Sequence, residues 1–159
     1  AVLDEPDILL KLETGDYPIA CKKINSVANL GGQLRNGVRQ LRPFGGAGLI
    51  ALNVDLLVPE NSILVKDTAA QANAELIALI DGFRESNRLI LQKPVAAKEC
   101  DGIMFSMTAM THVEQMRPQV SYYTQTEFWT LRDANPEGQK RALAFAKAVG
   151  DAMKARRGQ

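Results

Sequence analysis

The chain of 159 residues suits one domain with a core large enough to need no disulfides. Apolar residues make up 46% and charged residues 23%, and no apolar run approaches the roughly 20 residues that span a bilayer, which excludes a helical membrane protein. A net charge of +1 singles out no partner, and two cysteines, Cys21 and Cys100, are too few for a disulfide scaffold, so a reduced, cytoplasmic setting is expected.

In chain order, residues 6–13 and 17–24 are two short apolar segments around "ETGD", a hairpin signal with Gly15 in the turn. From Ser26 to Arg42 the period becomes helical. Leu30, Leu34, Val38 and Leu41 recur on one face, with Arg35, Arg39 and Arg42 beside them. Ser26 is the expected cap, and Pro43 with "FGGAG" the stop. Residues 48–58 form a nearly continuous apolar run, the pattern of a strand covered on both faces. "FGGAG" precedes this strand rather than a helix, which argues against a phosphate loop. A long helix over 68–91 follows, with Leu76, Ile80 and Phe83 inward. Strands over 102–110 and 120–131 come next, then a helix over 136–155 burying Leu143, Ala146, Val149 and Met153. A helix between two strands implies a parallel crossover. The expected fold class is therefore α/β, a mixed central sheet with an opening antiparallel hairpin, flanked by helices.

A hairpin turn centred on Thr14 and Gly15 opposes Asp7 to Lys22 and Leu9 to Ala20. Opposed residues share a face, as do residues two apart on a strand, so Asp7, Ala20 and Lys22 lie together, the latter two roughly 6.5 Å apart. This face is expected at an open edge of the sheet. Residues 17–54 hold Lys22, Lys23, Arg35, Arg39 and Arg42 and no acid, a patch suited to a polyanion.

"PD" at Pro6–Asp7, a hairpin, "IACKK", a helix carrying Gln33 and Gln40, and the strand "GLIALNVDLL" resemble, in that order, the PD-(D/E)XK nuclease superfamily. The resemblance covers residues 6–58, and beyond them only the order of elements. It implies a restriction-endonuclease-like core and Mg²⁺- or Mn²⁺-dependent cleavage of nucleic acid, DNA foremost. Carried over by position, Asp7, Ala20 and Lys22 are the catalytic set, and Asp7, Ala20 and Cys21 the metal set. Lys23, Gln33, Arg35, Arg39 and Gln40 would meet the nucleic acid. Paired carboxylates hold the hard cation that activates water, while a lysine stabilises developing negative charge. The chain departs from the pattern at Ala20, where the family has an acid. No acid occurs between Asp16 and Asp55 to replace it, and Asp4 and Glu5 stand at the strand entry, where they help only in part. Two explanations stay open. One is an acid exchanged for alanine to silence an enzyme, which the intact Asp7, Lys22 and basic helix favour. The other is an inactive copy that binds nucleic acid or serves assembly. The missing upstream helix and the absent initial Met suggest a fragment of a larger protein, and a homodimer stays open.

Other side chains point to structure. His112 has no Cys or Asp at ligand spacing, and Met104, Met107, Met110 and Met116 read as core filler. Tyr122, Tyr123, Phe128 and Trp129 read as a core strand with a few exposed rings rather than a base-stacking platform.

Overall fold

The computed structural model describes residues 5–116 and 120–158. Strands β1 (Ile8–Leu12) and β2 (Gly15–Lys23) form the opening hairpin, and helix α1 (Leu30–Leu41) leads to β3 (Leu49–Asn53). Then come β4 (Leu64–Lys66), α2 (Ala69–Ser86), α3 (Arg88–Ala96), β5 (Gly102–Val113), β6 (Val120–Trp129) and α4 (Pro136–Arg157). The strands form one six-stranded sheet in the order β1-β2-β3-β5-β4, with β6 on the other edge of β5. β1 and β2 are antiparallel, β2, β3 and β5 run parallel, β4 is parallel to β5, and β6 is antiparallel to it. The mixed sheet flanked by helices agrees with the sequence.

The alternation of side chains on the strands sorts the core into two layers. Ala20, Ile24, Ile50, Leu52, Ile103, Phe105 and Met107 pack under α1, α2 and α3, against Leu34, Leu76, Ile80 and Leu91. On the opposite face Tyr17, Ile19, Leu49 and Ala51 meet Ala142 and Phe145 of α4. Strands covered on both faces read as unbroken apolar runs, which explains the "LIAL" of β3.

Several boundaries differ from the expectation. The hairpin turn is Glu13–Thr14, with Leu12 opposite Gly15 and Leu9 opposite Pro18 rather than Ala20. Gly15, at φ 117°, takes the last rung in a conformation that other residues avoid, so it closes the ladder instead of sitting in the loop. The slip is two residues, so every side chain keeps its face. Ser26 is extended but its side chain makes no capping bond, and the helical path starts as a 3₁₀ turn over Val27–Asn29. β3 ends at Asn53, before a 3₁₀ turn over Asp55–Leu57. β4 was not anticipated. The long helix is two: Thr68 and Gln71 form a capping box at its start, and it breaks at Asn87, whose side-chain amide donates to the Phe83 carbonyl at 2.8 Å. On α4 the expected face is wrong, since Leu143 and Met153 are 58% and 54% exposed while Ala142 and Phe145 are buried. Phe145 stacks on Tyr17 at 5.3 Å and meets Phe128 edge-on at 5.9 Å, so the aromatic contacts choose the face. Of the methionines, Met107 is core and Met116 is exposed. His112 stands 3.4 Å from Glu114 Oε1 at the end of β5.

Candidate functional site

β1 runs alongside β2 only as far as the Ile8–Ile19 rung. Beyond it, among the described residues, no strand pairs with the edge of β2 on the β1 side, and Asp7 fills the place. The Cys21 N–H donates to Asp7 Oδ2 at 2.7 Å, and Lys22 Nζ lies 3.2 Å from the same oxygen. An extended residue points its N–H and C=O the same way. The Ile24 N–H donates to the Asn53 carbonyl, so even-numbered residues of β2 address β3 and odd-numbered ones address β1. The Cys21 carbonyl therefore opens onto the same edge as Asp7. Lys22 shares the α1 face with Ala20 and Ile24, its side chain 12% exposed, so the stem is covered while the ammonium reaches the rim.

Gln40 closes the cluster from α1. Its Nε2 donates to the Glu5 carbonyl at 2.7 Å, which ties the entry of β1 to the helix, and its Oε1 is buried with no hydrogen-bond partner among the described residues. Burial pushes the Asp7 carboxyl up, but the Cys21 N–H, the Lys22 ammonium and the Gln40 amide outweigh it and hold the group below its ordinary range. The Cys21 thiol, by contrast, is raised by burial and by the Asp7 charge.

The sequence-derived set is brought together only in part. Asp7, Cys21, Lys22 and Gln40 meet, and Gln33 lies two helical turns before Gln40 on the same flank of α1. Ala20 does not open to solvent: it is 0% exposed, packed in the core with Leu34, Leu41 and Ile50. The sheet is open at the rim where Lys22 ends, but α1 seals it one rung earlier. Lys23 lines a separate cavity of about 860 Å³ with Asp55, Glu60 and Thr108. Arg35, Arg39 and Arg42 lie on the other flank of α1, where with Lys93 of α3 they line a groove of about 660 Å³ whose one acid is Glu99. The basic stripe and the Asp7 cluster thus occupy opposite sides of one helix. Asp4 falls outside the described residues.

For a divalent cation, Asp7 and the Cys21 carbonyl offer two oxygens and Ala20 offers none. Among the described residues no three His, Cys, Asp or Glu side chains converge on one point. Mg²⁺ keeps several waters and accepts one or two carboxylates. The donor set fits a hydrated ion held through one carboxylate and does not fit a centre ligated wholly by protein.

Sequence reasoning missed a buried charge at the far end of the sheet. Asp101, fully buried, takes the Arg141 guanidinium at 2.6 Å and the Gly48 N–H at 3.0 Å, joining α4 to the starts of β3 and β5. An acid beside the buried Cys100, with an arginine in the apolar stretch of the last helix, was the available signal. Among the described residues no helix is long and apolar enough to cross a membrane. No family model, curated protein or solved structure matches this chain.

Proposed function

We propose that the chain is a domain of the PD-(D/E)XK kind, a metal-dependent nuclease for DNA whose cleavage is reduced to a residual level by Ala20 in place of the second acid. The observation that carries the reading is Asp7 Oδ2, shared by the Cys21 N–H and the Lys22 ammonium at the unpaired end of a hairpin. In this reading Asp7 and the Cys21 carbonyl hold Mg²⁺ or Mn²⁺, which supplies an activated water when bound. Lys22, anchored by its covered stem, places a fixed positive charge where the attacked phosphate gains negative charge. Gln40 holds the strand entry that presents Asp7. The groove of Arg35, Arg39 and Arg42 takes a flanking stretch of backbone without reading bases, since an arginine fork matches phosphate. Free Cys21 and Cys100 agree with a reduced, cytoplasmic setting.

A second reading, a non-catalytic nucleic-acid-binding or assembly module, draws on the burial of Ala20, which leaves Asp7 as the one carboxylate at the site among the described residues. One experiment separates the two. Plasmid is incubated with the purified chain in Mg²⁺ or Mn²⁺, with EDTA as control, and binding is measured across a salt series. The nuclease reading expects slow nicking that EDTA stops, and a loss of about 10²-fold in Asp7→Asn and in Lys22→Ala. Both readings expect Arg35→Ala/Arg39→Ala to flatten the salt dependence of binding by about one unit of slope per lost phosphate contact. Folded protein that cuts in neither metal yet keeps that salt slope establishes the binding module.

A further inference from the structure

The outer edge of β6 is ten residues long, and the direction of its hydrogen bonds follows from the ladder on the far side of β5. The Ser106 carbonyl accepts from the Val54 N–H, and the Thr108 N–H donates to Asp55 Oδ1 at 2.8 Å. Even-numbered residues of β5 therefore turn their backbone toward β3 and its exit loop, and odd-numbered ones toward β6. Phe105 pairs with Glu127 and Met107 with Gln125, so the odd residues of β6 bond inward. By alternation, the N–H and C=O groups of Tyr122, Thr124, Thr126 and Phe128 point away from the molecule. Among the described residues β6 pairs with no strand but β5, and no hydrogen bond meets these groups on the outer side.

Natural edge strands are blunted by lysine, proline, a bulge or a covering element. β6 has no lysine, proline or bulge, and no strand covers its outer edge among the described residues. Its sequence, VSYYTQTEFW, holds no basic residue and no proline, and its ladder with β5 runs through ten consecutive rungs without a bulge. The one charge, Glu127, lies in the inward-bonding set and accepts from Gln125 Nε2 at 2.8 Å. The outward row is uncharged and carries exposed aromatic rings, Tyr122 at 71% and Phe128 at 37%.

We propose that β6 pairs antiparallel with β6 of a second copy of this chain, joining two sheets into one continuous sheet. A two-fold axis perpendicular to the sheet keeps each face on its own side, so opposed residues must have the same parity. With the axis at Gln125, Tyr122 opposes the second copy's Phe128 and Thr124 opposes its Thr126, and symmetry repeats both pairs. These are the outward-bonding residues, so each pair exchanges backbone hydrogen bonds. They are also the aromatic and threonine pairs that favour cross-strand association. Glu127 opposes Tyr123, so no like charges meet. The row is complementary to itself in hydrogen bonds, side chains and charge, which selects a second copy over a foreign strand. Neither the interface nor its test depends on the phosphodiester reading.

Sedimentation of the full chain across the micromolar range should show a concentration-dependent dimer. Thr126→Pro deletes an outward N–H and no bond to β5, and Tyr122→Lys adds the charge that natural edges use. Each should weaken dimerisation at least tenfold with an unchanged circular dichroism spectrum. If Thr126→Pro does not fold, Tyr122→Lys decides. Gln125→Cys in a Cys21→Ser background should cross-link on mild oxidation, because the axis brings the two copies of position 125 within disulfide reach. A wild-type monomer throughout, a dimer that Tyr122→Lys leaves intact, or a dimer whose position 125 does not cross-link overturns the proposal.

Discussion

By the register of the hairpin Asp7 falls beside Ala20, just past the Ile8–Ile19 rung, yet the two experience opposite environments. Asp7 is at the rim, its side chain 42% exposed, so its bond to Lys22 is screened and contributes less than about 1 kcal/mol to stability. Its value to the molecule is position. The carboxyl is held below its ordinary value of 3.8, so its small stabilisation is present above that value and is lost as pH falls through the lower folded one. A carbon-13 NMR titration should find the Asp7 transition below 3.8, and Lys22→Met should move it upward. Ala20 has no such freedom. In Ala20→Glu the new side chain enters the layer of Leu34, Leu41 and Ile50, where a carboxylate loses its water. The variant should lose at least about 2 kcal/mol in urea unfolding, and the loss should shrink at acid pH as the new carboxyl protonates. An acid introduced here by this single change therefore works against the fold, contrary to what an open site would allow.

Among the elements, α1 and α4 show how far periodicity carries. Leu30, Leu34 and Leu41 were legible as a buried stripe, and they are buried. The same spacing did not say that Gln40 would face Asp7 while Arg35 and Arg42 face α3, because a flank acquires meaning only from the element beside it. In α4, Ala142–Phe145–Val149 and Ala146–Val149–Met153 are both helical series. Tyr17 and Phe128 select the first by offering rings to Phe145. The Arg141–Asp101 pair then pins the helix. Asp101 is wholly buried, and Arg141 is the cation that compensates it. Beside them the Tyr17 hydroxyl is raised by burial first and the Asp101 charge second. Arg141→Ala strands a buried carboxylate and should cost about 3 kcal/mol in chemical denaturation. Asp101→Asn combined with Arg141→Met should recover part of that loss, because the uncompensated charge is gone. Equal losses in the single and double variants would mean that the pair is not what seats α4.

Across the whole molecule, β5 organises the sheet. Its twelve residues pair with β3 over Gly102–Ser106 and with β4 over Thr111–Val113 on the same edge, and with β6 along the other. Between β3 and β4 the edge is bridged by Asp55, which accepts from Thr108, and the cavity lined by Lys23 opens there. The Asp7 cluster, that cavity, the arginine groove and the β6 edge are four distinct surfaces, although the sequence placed Lys22, Lys23 and the three arginines in one basic patch. The sequence by itself determined the apolar strands, the helix between β2 and β3, the mixed sheet and the common face of Ala20 and Lys22. Each of these depends on alternation or periodicity within a short stretch, which local stereochemistry enforces. Tertiary structure alone decided the hairpin register, the three-residue β4, the break at Asn87, the burial of Ala20 and the buried face of α4. These depend on which distant side chain supplies a partner or removes water, and burial is set by what lies across the core rather than by neighbours along the chain.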